Sequence, residues 1–469
     1  MTLPLTLSPA APIAAPAEMS PRTRKLLNGP ILPTLLQLAW PNVLVMLAQA
    51  STGLIETWWV SKLGTDALTG MALVFPGYMM MGMLSAGAVG GGIASAVARA
   101  LGAGRRQDAD ALALHALVIN IVLGLATSAL FLVFGRQIYS AMGGRGGSLE
   151  AALAYSNVVF FGNVVLWVMN ALASVIRGSG NMAFPSTVIC AGVALLIPLS
   201  PLLIFGLGPL PGLGIAGGGL AVVLTTAVMA AALFGFVVRG DGIVRLRRAP
   251  LRWAPFADIL RVGAVGSLSA LQTTLTVALT TGLVGAAAGP EGVAGYGTGS
   301  RLEYLLIPIV FGLGAPQVAM VGANIGARQL RRALRIAIVG GALSFAVTEA
   351  IGLAAALWPS AWLGLFGHDP QMLATGGAYL RCVGPAYGFF GLGLSLFFAS
   401  QGAGKLFWPL FAGLFRLTIS VGGGWLVLGA TGSLTLVFAT LAVALAVYGV
   451  VTGAAVGSGA WFTRSERPV

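Results

Sequence analysis

The chain has 469 residues, of which 57% are hydrophobic and only 8% charged, and its mean hydropathy is +0.92. That composition leaves no room for a sizeable soluble domain, and apolar runs that are continuous instead of alternating exclude a closed barrel. The net charge of +13 is a topology signal and not a nucleic-acid footprint, because the cations fall between apolar segments.

Residues 1–30 read as a disordered cytoplasmic tail, rich in Pro, Ala and Ser where they begin. Twelve apolar segments then start near residues 31, 67, 111, 150, 185, 214, 256, 293, 333, 371, 406 and 433. Each is long enough to span a bilayer, which takes about 20 residues at about 1.5 Å each. A basic linker, 240–253, separates the first six (31–239) from the last six (254–460), and 461–469 is a second tail. With the N-terminus inside, all but five of the 26 Lys and Arg residues fall on the inner side; the five are Lys62, Arg136, Arg145, Arg301 and Arg381. Both termini are therefore expected in the cytoplasm, in a multi-pass protein of the cell inner membrane.

The first span, Ile31 to Val60, carries the polar groups that organise the rest of the reading. A carboxylate at membrane depth costs roughly 3 kcal/mol on insertion scales, so Glu56 is a functional candidate. Asn42, Gln49 and Glu56 recur every seven residues, with Thr52 one turn before Glu56. At about 3.6 residues per turn they share one face of the helix, expected to look into a cavity and not into lipid. Pro41 removes a backbone hydrogen bond and gives this helix a place to bend. A bendable helix with a protonatable acid suits the coupling element of a transporter.

The chain repeats itself at a displacement of 224 residues. Leu101-Gly102-Ala103-Gly104-Arg105 meets Ile325-Gly326-Ala327-Arg328, Ala154-Tyr155 meets Ala378-Tyr379, and Arg177-Gly178-Ser179-Gly180-Asn181 meets Gln401-Gly402-Ala403-Gly404-Lys405. Near the start of each half, Gly64, Asp66 and Gly70 meet Gly289, Glu291 and Gly295 at 225. Six spans per half bring both halves in from the same side, so the repeat is parallel. Substrate sites in such proteins lie between the halves near mid-membrane.

These loops, together with Leu38-Ala39-Trp40-Pro41, the Glu56-Thr57-Trp58-Trp59-Val60-Ser61-Lys62 run and Pro201-Leu202-Leu203-Ile204-Phe205-Gly206, resemble the multidrug and toxic compound extrusion (MATE) transporters. The resemblance covers the chain after residue 30. It implies twelve helices in two lobes, and export of cationic or amphipathic compounds against an inward flow of protons or sodium. In the branch similar to DNA-damage-inducible protein F, the acid at the position of Glu56 is linked to protonation and to bending at the proline matching Pro41. Ser200 stands where that branch often has Asp, and Gln272 and Phe390 stand where sodium-coupled members have acids. A sodium site built from several carboxylates is thereby weakened, which leaves a proton on Glu56 as the coupling ion.

The remaining polar groups are candidates for cavity lining. Gln272 and Thr276 belong to a stripe on the seventh span with Ser269, Thr273 and Thr280, and Asn163 and Asn170 form an i, i+7 pair on the fourth; such residues equally glue membrane helices together. Arg301, Glu303 and Tyr304 open the eighth span as a candidate buried network. Glu349 is expected to be peripheral, Cys190 and Cys382 to be packing residues, and His115 and His368 to be solvated at loop edges, with no metal site and no cofactor among them.

The expected fold is an all-α polytopic membrane protein, twelve transmembrane helices in two homologous six-helix lobes. The expected function is cation-coupled antiport of amphipathic small molecules by a monomer in the lipid bilayer, without enzymatic activity or a nucleic-acid partner. The alternative is a flippase for lipid-linked precursors, which needs several Arg or Lys to hold a pyrophosphate; Arg301 is the sole candidate. A membrane transferase would need clustered Asp or His at the interface, a pattern the sequence lacks.

Overall fold

The computed structural model describes residues 19–207, 210–240 and 242–462. Among them, eleven helices are long and apolar enough to cross a membrane, and the pair Gly146–Phe161 and Asn163–Gly178, bent by 46° about Gly162, makes a twelfth. The spans follow the expected order. The first is Ile31–Ser61, and the second runs from Thr65 through a π-helical turn at Met83–Val89 to Gly102. The third is Arg106–Ala141, the fifth Ala183–Phe205 and the sixth Ile215–Arg239. The seventh and eighth share a helical path, Trp253–Gly326, broken at Gly289, whose φ of 65° turns the chain back. The ninth is Leu330–Leu357. The tenth, from Pro370 to Ala403, tightens to a 3-10 turn at Gly384–Ala386, and the eleventh, from Phe407 to Thr431, has a π turn at Thr418–Gly423. The twelfth is Leu434–Gly457.

One expectation is corrected at the start of the chain. Residues 1–18 of the proposed tail lie outside the described residues, but Pro21–Asn28 is a helix, capped by the Ser20 hydroxyl and begun by proline. Its Leu26 and Leu27 are buried against Met320 and Ala323 of the eighth span, and Asn324 donates to the Leu26 carbonyl at 3.1 Å. Composition hides this because only two apolar side chains anchor the segment.

The repeat appears as matched contacts, with small residues where helix backbones meet. A Cβ on Gly178 would stand 2.7 Å from the Ala94 carbonyl oxygen, and one on Gly402 the same distance from that of Val318. Gly70 abuts Ala152, as Gly295 abuts Gly376. Across the pseudo-two-fold axis, Gly102 packs on the Ala323 carbonyl and Gly326 on that of Arg99, so each lobe seats its glycine on the other's backbone.

The lobes are joined toward the face that carries both described chain ends. The Ser95 hydroxyl donates to the Gln401 carbonyl at 2.6 Å and accepts from Arg99, which also pairs with Asp258 at 2.7 Å. Gln401 donates to the Gly87 carbonyl at 3.1 Å, filling the space left by Gly91. The basic linker is pinned here as well. The Arg245 amide donates to Asp110 at 2.8 Å and the Arg252 amide to His115 Nε2 at 3.0 Å. His115 is thus buried, not solvated as expected, because the linker folds back over the third span.

Candidate functional site

Glu56 lies near the end of the first span far from the chain termini and is 5% exposed. The side chain points into the N-lobe. Its neighbours are Ser200 of the fifth span, Tyr78 of the second and Tyr155 of the fourth, and its Oε2 lies 3.7 Å from where a Cβ on Gly218 of the sixth would stand. Five of the six N-lobe spans therefore enclose it. Neither Glu56 Oε2 nor Ser200 Oγ completes a hydrogen bond among the described residues. Lys62, the nearest cation in sequence, sits over the Trp58 ring at 4.9 Å instead. The result is a carboxyl out of water with no salt bridge among the described residues, an arrangement that is costly while the group is charged.

The rest of the first-span stripe does not share this environment. Asn42 is buried and donates to the Leu38 carbonyl at 3.3 Å, Thr52 donates to that of Ala48 at 2.8 Å, and Gln49 is exposed. Over fourteen residues the helix rises about 21 Å, so one face meets different partners along its length: Val43 packs on Gly312 of the C-lobe, whereas Glu56 meets the N-lobe. Pro41 is buried within the helix, one turn beyond Gln37, whose side chain accepts from Lys25.

The fourth-span asparagines act within the N-lobe. Asn163 opens the helix after the bend at Gly162, donates to Thr127 Oγ1 at 2.9 Å and lines a small cavity with Tyr78 and Thr226. Asn170 donates to Ser85 Oγ at 2.8 Å, inside the π turn of the second span. On the seventh span, Gln272 donates to the Leu410 carbonyl at 3.4 Å and Thr276 to the Gln272 carbonyl at 2.8 Å; both are buried in helix packing.

The network expected at the start of the eighth span is regrouped. Arg301 is exposed and lies over the Phe366 ring at 5.5 Å, and the Tyr304 side chain lies outside the described ones. Glu303 turns inward and pairs with Arg416 of the eleventh span at 3.6 Å, with side chains 17% and 10% exposed. It accepts from the Tyr379 hydroxyl at 2.8 Å, Tyr387 donates to Tyr379 at 3.3 Å, and Arg416 lies over Phe390 and Tyr448. Tyr379 is the repeat partner of Tyr155 and Glu303 that of Tyr78. Each lobe therefore buries one acid beside the same tyrosine, but only the C-lobe acid has a cation. Glu349, expected to be peripheral, accepts from the Gly388 amide at 2.7 Å, where the tenth span's 3-10 turn frees backbone donors.

Comparison with known proteins agrees with this architecture. The MatE family model matches residues 41–202 and 267–426. A FAD transporter of Shewanella oneidensis is 27% identical, covering 80% of this chain and 82% of that one, and a probable multidrug resistance protein NorM of Thermotoga maritima is 25% identical, covering 84% and 83%. A crystal structure of MATE in the bent conformation superposes with a TM-score of 0.85 at 25% identity, covering 93% of this chain and 96% of that one. The chain belongs to the MatE family, whose members are multi-pass membrane transporters of the multidrug efflux class and not enzymes.

Proposed function

We propose that this protein exports amphipathic or cationic compounds in exchange for protons, with Glu56 as the coupling group and the chain-end face, closed here, in the cytoplasm. The observation that carries the reading is the buried Glu56 carboxyl, held by five N-lobe spans with no cation against it. A proton arriving from the opposite face neutralises it, and its departure leaves a charge that the closed N-lobe cannot accommodate. The two protonation states then favour different conformations, which is the condition for coupling. Pro41 supplies the bend. Alternating access breaks the contacts of Ser95, Arg99 and Gln401 at one face as the other closes.

The test is transport in proteoliposomes with imposed pH or sodium gradients. The wild type is expected to move substrate on a pH gradient alone, and Glu56→Gln to lose that flux while reaching the membrane at normal level. Sodium-driven transport unaffected by the substitution would refute the proposal. The FAD-transporting relative suggests a second substrate class, an anionic dinucleotide. Arg301 favours it, being exposed, stacked on Phe366 and without an ion-pair partner among the described residues; the same vesicles loaded with FAD decide.

A further inference from the structure

The chain-end face carries a cavity of about 960 Å³ that lies away from Glu56 and from the Glu303 pair. It is walled by both lobes and the linker. Five cations line it, Arg99 and Arg105 from the N-lobe, Arg252 from the linker, and Arg328 and Lys405 from the C-lobe, against two carboxylates, Asp108 and Asp258. Those carboxylates are taken: Arg105 pairs with Asp108 at 2.9 Å and Arg99 with Asp258 at 2.7 Å. Arg252, Arg328 and Lys405 are exposed and make no salt bridge among the described residues. Trp461 and Phe462 add an aromatic wall.

A bias of cations toward the cytoplasm explains their number but not their placement. Arg328 is the one non-glycine residue with positive φ among those described, at 59°. Its repeat partner is Gly104, with φ of 75°. An L-residue held in that region costs about 1–2 kcal/mol, so one loop of the repeat takes the free choice and the other keeps a strained arginine facing the cavity. Backbone strain retained against an available glycine solution points to use.

We propose that this cavity binds a phosphate-bearing anion, held by Arg252, Arg328 and Lys405. Guanidinium groups suit phosphate oxygens geometrically, and basic pockets beside membrane helices receive anionic headgroups. Because its walls come from both lobes, the site is complete only while they meet at this face. A bound anion therefore favours the state closed here, and opening of this face lowers its affinity by the same factor.

Inorganic pyrophosphate titrated onto the full-length protein in phosphatidylcholine nanodiscs tests this. Saturable binding at one equivalent is expected, weakened at least tenfold in Arg252→Ala with Lys405→Ala and in the single Lys405→Glu, and unchanged in Arg335→Ala, a control that removes an exposed cation outside the cavity. Phosphatidylglycerol nanodiscs identify the source: loss of pyrophosphate binding there assigns the site to a lipid headgroup, and retention assigns it to a soluble phosphate compound. No saturable binding in either lipid, or an equal loss in Arg335→Ala, would overturn the proposal.

Discussion

Arg416→Ala should destabilise the protein far more than Glu56→Gln, although both alter a buried acid's surroundings beside equivalent tyrosines. In the C-lobe, Arg416 faces Glu303 at 3.6 Å with both side chains largely out of solvent. Removing one partner of such a pair leaves the other charged and buried, a loss of about 3–5 kcal/mol. Glu303 keeps its bond from Tyr379 at 2.8 Å, which places the expected loss near the lower end. The missing cation–aromatic contacts to Phe390 and Tyr448 restore about 1 kcal/mol to that figure. In the N-lobe no cation is orphaned when Glu56 becomes an amide, and a desolvated charge is avoided, so the change should lie within about 1 kcal/mol of zero or be stabilising. Denaturant titration in bicelles, followed by tryptophan fluorescence, reads both. Arg416→Met combined with Glu303→Gln should recover most of the loss, since apolar replacement of a whole pair is often neutral. Equal losses for Arg416→Ala and Glu56→Gln, or a double variant no better than the single, would refute the assignment of a paired and an unpaired acid.

Gly102→Ala and Gly326→Ala should each loosen the closed face, because the new Cβ would stand 2.0 Å from the Ala323 oxygen and 2.1 Å from the Arg99 oxygen respectively. Overpacking of about 2 kcal/mol shifts the conformational equilibrium roughly thirtyfold; a cysteine at Ser95, in a background lacking Cys190 and Cys382, should react correspondingly faster with an impermeant thiol reagent, and unchanged reactivity would exclude a tight seal. Asn170→Ala should cost about 1 kcal/mol of stability, the scale of interhelical hydrogen bonds in membranes, while leaving substrate selectivity intact, since its amide is spent on Ser85; altered selectivity measured by competition would return it to the cavity lining.

The spans and the repeat were legible because both rest on local chemistry: apolar length, and glycine at the tight turns of paired loops. Glu56 was legible for the same reason, as an acid in an apolar run. Its surroundings were not, since the first span borders both lobes and the sequence does not say which one a given turn faces. The grouping of Arg301 with Glu303 overlooked a readable signal: residues two apart on a helix point to different sides, so one had to face outward. Arg416 is 113 positions from Glu303, and no period connects them. The repeat offered a route, because Tyr155 and Tyr379 are equivalent and whatever packs beside one is a candidate beside the other. His115 escaped because its burial depends on the linker returning over the third span.

The asymmetry between the lobes bears on what drives transport. An acid with a fixed arginine is neutral as a pair in either conformation and gains little from a proton. A lone acid changes the charge of its lobe each time it is loaded or emptied. Under the role proposed for Glu56, that site exchanges one proton per cycle. Exchanged for a neutral substrate, that proton carries a net charge, and the membrane potential adds about 2.3 kcal/mol per 100 mV to the pH gradient. Exchanged for a monovalent cation, it carries none, and only the pH gradient remains. One proton exchanged at Glu56 thus makes the driving force depend on the charge of the cargo, and Arg416 keeps Glu303 from adding a second.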